Sequence, residues 1–327
     1  MHDLHAVPPA PLTVAAGQAG CAALDVPANV AAAAGLVRRA ADQGADLLVL
    51  PELFLTGYEL AGIVADPGSC ALSPTDPRLD PLATACAETR TAVVAGAPTH
   101  DSASGGLHIS ALVLGRDGRP ATRYDKQHVD AAERAAGFSP GAGGCTVVLG
   151  GWRLGLAICW DASYPEHARA AALDGCHAYL VGALFGRGRG AHKRATICPA
   201  RALDNACYIV VANHSGPSGP YHGCGGSAAW NPDGTLLVDA GTADSGPATA
   251  RLDPEVLARA RSEEPVLVDP HSAPRHTPEA ASTSPETPAA GTTGPGRNPR
   301  RATGDHPKIS PINFTYAEPP CSSSSKA

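Results

Sequence analysis

Three reactive side chains each follow a segment that is predicted to be a β-strand. They are Glu52, Lys126 and Cys159. A rigid strand fixes the residue at its end while the next loop opens a crevice, so such positions suit functional groups. A free thiol has a pKa of about 8.5 and needs a nearby base or cation to react as a thiolate at pH 7. This set contains both, and it therefore points to nucleophilic chemistry at the cysteine.

Each of the three has an ordinary alternative when it is taken alone. Apolar sequence on both sides of Glu52 would desolvate its carboxylate, raise its pKa and make it a better base near neutrality, but a lone Glu can also cap a loop or pair with an arginine. Lys126 could be a surface lysine. Cys159 ends a strand about five residues before a helix, a tight turn that exposes a nucleophile, yet buried cysteines commonly serve as small apolar residues, as we expect of the other nine.

The elements that must position these residues alternate between short strands and helices. Strands are predicted at residues 12–18, 46–51, 92–97, 109–114, 119–124, 152–158, 178–181, 208–212, 227–230 and 236–240, and helices at 27–43, 80–89, 165–174 and 193–205. The sequences around Asp117-Gly118 and Asn231-Pro-Asp-Gly234 are hairpin signals. Helices join some strands and hairpins join others, which favours mixed sheets. We predict an α/β fold, a four-layer α-β-β-α sandwich with two mixed β-sheets.

Composition divides the chain into a folded part and a tail. The 327 residues include 36 glycines and 31 prolines, and ten of the prolines lie in residues 271–327 among many Ser and Thr. Such a segment has too little apolar surface to offset its ordering entropy. The sequence predicts a flexible N-terminus at residues 1–10, one folded domain at residues 11–270 and a disordered tail at residues 271–327.

Several functional classes lack their sequence signals. No apolar run approaches the ~20 residues that span a bilayer, and no signal peptide is visible, so we expect no membrane partner and a cytoplasmic location. The formal charge is −6 without a basic stripe, which argues against nucleic acid, and the basic residues 187–194 are predicted to form a loop. Phosphate-loop, serine-hydrolase and zinc motifs are missing, so neither cofactor nor metal is predicted.

The order and spacing of Glu52, Lys126 and Cys159 resemble the nitrilase superfamily, the carbon-nitrogen hydrolases that use a Glu-Lys-Cys triad. The similarity runs from Leu12 to Leu252. The motifs that carry it are residues 51–58 (PELFLTGY), 124–129 (YDKQHV), 158–166 (ICWDASYPE), 200–208 with Asn213, and 226–234. This resemblance implies a nitrilase-like sandwich and a homodimer or higher homo-oligomer.

The mechanism that the resemblance implies begins with proton transfer from Cys159 to Glu52. The thiolate attacks the substrate carbon, and Lys126 with the backbone N–H of Trp160 stabilises the oxyanion. The products are ammonia or an amine and a thioester, which water then hydrolyses without a metal or organic cofactor. A second glutamate, Glu133, would orient Lys126 or position substrate, unless it is a surface residue in a helical turn.

The substrate class follows from departures within the motifs. Nitrilases usually have Cys-Trp-Glu, whereas here Trp160 precedes Asp161 and then Tyr-Pro-Glu, as in amidase-like and carbamoyl-amide-hydrolysing branches. We therefore expect a small-molecule amide or carbamoyl substrate. Nitrile hydrolysis by the same triad, and a catalytically silent homologue with a binding or assembly role, are the alternatives.

Three aromatic residues are candidates for the substrate pocket, although each could be a core residue only. They are Tyr58, Trp160 and Phe185. After Phe185, the family often has an aromatic residue that follows its histidine, but in this chain Lys193 follows His192. The rim of the pocket is therefore altered.

Overall fold

Two six-stranded β-sheets form the centre of the fold in the computed structural model, which describes residues 6–101, 105–242 and 246–267. The strands of these residues are β1 (Leu12–Ala16), β2 (Leu47–Val49), β3 (Ala92–His100), β4 (Leu107–Leu114), β5 (Pro120–Asp125), β6 (Thr146–Leu149), β7 (Trp152–Ile158), β8 (Ala178–Ala183), β9 (Tyr208–Asn213), β10 (Ser215–Ser218), β11 (Tyr221–Cys224), β12 (Ala228–Trp230), β13 (Leu236–Asp239) and β14 (Ala248–Leu252). The helices are α1 (Val26–Asp42), α2 (Leu60–Ala65), α3 (Pro67–Cys70), α4 (Asp80–Thr89), α5 (Ala131–Ala136), α6 (Pro165–Leu173), α7 (Arg189–Asn205) and α8 (Pro254–Glu263), with short 3-10 helices at Pro77–Leu79 and Cys159–Ser163.

The two large sheets share one plan. The first has the strand order β14-β1-β2-β3-β4-β5 and the second β13-β12-β9-β8-β7-β6. In each, three central strands run parallel, namely β1, β2 and β3 in one sheet and β7, β8 and β9 in the other, and antiparallel strands extend them on both sides. A separate hairpin is formed by β10 and β11. The prediction of two mixed sheets is confirmed.

Side chains of the central strands point alternately to the two faces of each sheet, and this alternation produces the four layers. In β2, Leu47 and Val49 enter a core shared by both sheets, whereas Leu48 packs in the cluster formed with α1 and α4. In β8, Leu180 enters the shared core and Tyr179 packs in the cluster formed with α6 and α7. Strands with apolar residues on both faces are typical of sheets that are covered on both sides. Helix pairs therefore cover the outer faces, and the predicted α-β-β-α sandwich is confirmed.

The basic segment at residues 187–194 differs from its prediction. It was expected to be a loop, but α7 begins at Arg189 and includes most of it. A Cβ atom on Gly190 would lie 3.2 Å from the carbonyl carbon of Phe185, so glycine permits the close packing of this first turn. Packing of this kind overrides low helix propensity.

The predicted division of the chain into segments is only partly covered by the described residues. The predicted tail at residues 271–327 and the first five residues of the predicted N-terminal segment lie outside the described residues. The limits of the folded domain stay a prediction. In the part of the chain that the structure describes, the helices are too short or too polar to cross a membrane.

Candidate active site

Glu52 lies between the two sheets, on the segment that follows β2. The chain that leaves β2 passes between Gly96 of β3 and Gly182 of β8. A Cβ atom on Gly96 would lie 2.2 Å from the Pro51 oxygen, and one on Gly182 would lie 2.7 Å from the Leu50 oxygen. Glycine is therefore required on both sides, and the Glu52 side chain is 1% exposed.

Lys126 is buried and bound to two carboxylates. It follows β5, and its Nζ donates to Glu52 Oε1 at 2.6 Å and to Glu133 Oε1 at 2.5 Å. A buried ammonium group needs partners for its charge and its hydrogen bonds, and here two of its three N–H groups donate to carboxylates. The alternative of a surface lysine is wrong.

Cys159 lies on the turn directly after β7, as its position before a helix predicted. Its φ is +43°, in the left-handed region that a residue with a Cβ adopts at a cost of roughly 1–2 kcal/mol. Strain of this kind collects at functional sites, where the surrounding structure imposes it. The turn places the thiol in the cavity wall that Glu52 and Lys126 also line, and its Sγ lies 4.0 Å from the Leu184 carbonyl oxygen.

The environment of the cluster shifts the pKa of all three groups. Burial raises the pKa of Glu52 to about 7, although the charge of Lys126 opposes this change. Burial, together with the charge of Glu52, raises the pKa of the Cys159 thiol well above its usual value, so the thiol rests protonated. Burial lowers the pKa of Lys126, but the charges of Glu52, Cys159 and Glu133 outweigh it and the net shift is upward. The carboxylate is thus the group that changes charge near neutrality.

Glu133 is fully buried in the same cluster and is not a surface residue. It forms a capping box at the start of α5, where Asp130 Oδ1 accepts from the Glu133 N–H and Glu133 Oε2 accepts from the Asp130 N–H, both at 2.8 Å. Its other oxygen accepts from Lys126 and, at 2.6 Å, from the hydroxyl of Tyr58. Glu133 therefore fixes the lysine and a pocket residue to one helix.

Asp161 joins the turn at the cysteine to the segment that carries the lysine. Its Oδ2 accepts from the Ile158 N–H at 2.9 Å and from the Tyr124 hydroxyl at 2.7 Å. Its Oδ1 accepts from the His128 N–H at 2.9 Å. In the sequence, Asp161 only distinguishes branches of the family, and no pattern indicated that it joins these two segments.

We expect Asp161→Ala to lower the free energy of unfolding by about 3 kcal/mol or more, because each buried donor left without an acceptor costs about 1–3 kcal/mol. Urea denaturation measures the change. The control is Asp117→Ala in an exposed hairpin turn, where the carboxylate is 60% exposed and the loss should stay below about 1 kcal/mol. Equal losses in the two variants would contradict the role of Asp161.

His214 supports Glu52 through the backbone, a contact that no sequence signal indicated. Its Nε2 lies 2.6 Å from the Glu52 carbonyl oxygen. A carbonyl can only accept, so Nε2 carries the proton, and Nδ1 accepts from the Cys21 thiol at 3.8 Å. Burial lowers the pKa of His214 to about 4, which keeps the ring neutral.

A group of His128, Asp161 and His167 has the residue types of a metal site. Their candidate ligand atoms lie within 4.8 Å of one another. However, His167 Nε2 is 2.8 Å from the Tyr124 hydroxyl, and its Nδ1 is 2.7 Å from the Tyr179 hydroxyl. With Asp161 also accepting hydrogen bonds, the group is explained as a hydrogen-bond network.

The cluster opens into a cavity of about 560 Å³. All the site residues that the sequence predicted lie in its wall: Glu52, Tyr58, Lys126, Glu133, Cys159, Trp160 and Phe185. The wall also contains Tyr221 of β11, whose ring meets that of Tyr58 edge-on with centroids 5.5 Å apart. Nothing in the sequence marked Tyr221, because its hairpin has no apolar pattern.

Comparisons with known proteins find related sequences and structures. A family model described as carbon-nitrogen hydrolase matches residues 13–262. A Pseudomonas protegens protein named "Hydrolase in pqqF 5'region" is 32% identical over 250 residues, which cover 73% of this chain and 82% of that protein. An (R)-stereoselective amidase from Pseudomonas sp is 34% identical over 229 residues, covering 68% and 79%.

A solved amidase from Nesterenkonia sp. AN1, described as from the nitrilase superfamily, has a similar fold. One of its mutant structures aligns with a TM-score of 0.68 at 28% identity and covers 79% of this chain and 97% of that one. That structure shows the acetamide moiety of fluoroacetamide added covalently at the active-site cysteine.

Proposed function

The chain belongs to the carbon-nitrogen hydrolase family, and from that premise we propose that it hydrolyses a linear amide through a thioester on Cys159. The observation that carries the proposal is the buried contact of Glu52 with the Lys126 ammonium group at the wall of a cavity that the Cys159 thiol also lines. A silent homologue has no need for two charged groups and a strained thiol at one cavity, so this arrangement favours the enzyme.

In the first half of the reaction, ionised Glu52 takes the thiol proton as the Cys159 sulfur attacks the amide carbon. The C=O electron pair moves to oxygen, where Lys126 and the Trp160 N–H stabilise the negative charge. Trp160 lies in the first turn of the 3-10 helix, where backbone N–H groups have no acceptor within the helix. The C–N bond then breaks, Glu52 returns its proton to the leaving nitrogen, and ammonia or an amine departs.

The second half returns the enzyme to its starting state. Water enters the position that the amine left and gives a proton to Glu52 while its oxygen attacks the thioester carbon. The C–S bond breaks, the sulfur recovers the proton from Glu52, and a carboxylic acid leaves. Glu133 keeps Lys126 in place throughout. Only this chain's residues and water take part in these steps.

The preference for an amide rests on two observations. Asp161 stands at the position after Trp160 where nitrilases usually have Glu, and two of the similar proteins are named as amidases. A carbamoyl amide presents the same carbonyl carbon to the thiolate. Homo-oligomeric assembly and a cytoplasmic location stay predictions.

The test is to trap the acyl enzyme. Protein is mixed with aliphatic amides, ω-amides, carbamoyl amino acids and nitriles, quenched in acid and digested. We expect a thioester on the peptide that contains Cys159, with a mass that names the acyl group, and ammonia in solution. Cys159→Ala is the control and should show neither.

The absence of both the adduct and ammonia with every substrate class would contradict the proposal. So would an electrophile that labels Cys159 no faster than other thiols, because a nucleophile placed beside a base should be the more reactive one.

A further inference from the structure

Lys193 stands where the family often has an aromatic residue, and the chemistry proposed above gives it no role. It lies in the second turn of α7, half-buried in the cavity wall, and its Nζ is 3.8 Å from the centre of the Trp160 ring. An ammonium group at this distance from an indole face is attracted by the electron-rich ring. Within the residues that the structure describes, Lys193 makes no ion pair with a carboxylate, so the indole is the partner of its charge.

The Trp160 ring is held at its edge as well as on its face. Its Nε1–H donates to the Tyr164 hydroxyl at 3.3 Å. The Tyr164 ring stacks on that of His128, with the ring centres 3.9 Å apart and the planes inclined by 15°. His128 is fixed in turn by Asp161, whose Oδ1 lies 3.0 Å from its Nδ1. The indole is therefore held between α7 and the segment that carries Lys126.

Trp160 also carries the backbone N–H to which the proposed mechanism assigns the oxyanion. That N–H belongs to the peptide group directly after Cys159, whose φ of +43° is strained. A strained turn keeps its conformation only while surrounding contacts impose it. The Trp160 side chain is 38% exposed, so burial alone holds it weakly. The contacts of its ring with Lys193 and Tyr164 therefore help to fix the direction of the N–H.

We propose that Lys193 is a positioning residue: its ammonium group holds the face of the Trp160 indole and thereby fixes the Trp160 N–H that binds the oxyanion. This inference rests on the proposed function. Aromatic and cationic groups both pack on an indole face, which explains how a lysine can stand at this position. An interaction that matters only in the transition state lowers kcat and leaves KM nearly unchanged.

A direct effect of Lys193 on the Cys159 sulfur is the alternative. Burial lowers the pKa of Lys193, and the charge of a Cys159 thiolate opposes this change, so the two groups lie within electrostatic range of each other. Acylation and alkylation separate the two roles. An amide develops an oxyanion when the sulfur attacks it, whereas iodoacetamide loses iodide from a saturated carbon and develops none. A cation that stabilised the thiolate would change both rates, and one that positions the oxyanion donor changes only the first.

The experiment measures both rates in Lys193→Met, which removes the charge and keeps an unbranched apolar side chain. Hydrolysis is followed as ammonia release from butyramide or, if it is hydrolysed faster, from another amide of the panel above. Alkylation by iodoacetamide is followed by mass spectrometry of the Cys159 peptide. We expect kcat to fall about tenfold, while KM and the alkylation rate change by less than about twofold. Lys193→Arg should recover most of the activity, because a guanidinium group also stacks on an indole.

Two further variants locate the effect at the ring. Trp160→Leu keeps the backbone N–H but removes the indole, so adding Lys193→Met to it should lower kcat by less than about twofold more. Arg119→Met removes one positive charge from a side chain that is 87% exposed, and it should leave both rates unchanged.

The outcomes separate this inference from the proposed function. Three results in a native protein that releases ammonia would overturn the inference alone: an unchanged kcat in Lys193→Met, equal falls in hydrolysis and alkylation, or a full effect of Lys193→Met in the Trp160→Leu background. A native protein that neither releases ammonia nor is alkylated selectively at Cys159 would overturn the proposed function and this inference with it.

Discussion

Glu52→Gln is expected to lower kcat for amide hydrolysis by about 10³-fold, because general acid–base catalysis contributes about 10²–10⁴ and this carboxylate is used in both halves of the reaction. Glutamine keeps the shape of the side chain but cannot take the thiol proton. The readout is steady-state ammonia release, with circular dichroism melting to show that the variant is folded.

The pH profile gives the same prediction a second readout. Only ionised Glu52 can act as a base, so kcat/KM of the native protein should rise tenfold per pH unit up to about pH 7 and then level off. Burial raises the pKa of Glu52 from 4.5 to about 7, so the rise in kcat/KM should extend to about pH 7. The residual activity of Glu52→Gln should not show this rise.

The matched control is Glu88→Gln, which removes an exposed carboxylate that pairs with Arg38 at 3.0 Å. Its kcat and pH profile should equal those of the native protein. If Glu52→Gln behaved like this control, Glu52 would not be the base, and the mechanism would need another proton acceptor.

The positions of Glu52, Lys126 and Cys159 could be predicted from sequence because local pattern locates the end of the strand that each of them follows. Burial could not. The sequence around Lys126 is typical of a surface lysine. Its carboxylate partners, 74 and 7 residues away in the sequence, stabilise its charge in the protein interior. This pairing forms because the segments after β2 and β5 come together with α5 in the fold. A short stretch of sequence does not include all three.

The elements that the sequence missed have weak local signals for a similar reason. The edge strand β6 pairs with β7 alone and exposes 64% of Val148. The strand β14 is held by its pairing with β1 at the far end of the chain. Tyr221 reaches the cavity through a hairpin whose apolar content is low. Tertiary contacts determine these elements more than propensity does.

Lys126→Met should have the largest effect on stability and should also impair catalysis. It leaves Glu52 and Glu133 buried without the cation that both contact. Removing one partner of a buried ion pair costs about 3–5 kcal/mol, so the free energy of unfolding at pH 8 should fall by about that amount. Loss of an oxyanion ligand should lower kcat by about 10²–10³-fold. Urea denaturation and ammonia release measure the two effects.

The sign of the pH dependence distinguishes buried charge from lost packing. Without Lys126, Glu52 loses the charge that opposes the effect of its burial, so its pKa in the folded state lies further above that in the unfolded chain and the folded state binds its proton more tightly. The stability of the variant relative to the native protein should therefore recover as the pH falls below the folded pKa of Glu52 toward that of the unfolded chain. Adding Glu133→Gln to Lys126→Met removes one of the two charges and should restore part of the stability at pH 8 without restoring kcat. A deficit that stayed constant with pH and did not respond to Glu133→Gln would assign the loss to packing around the methionine, and the ion-pair cluster would then not be what keeps Lys126 inside.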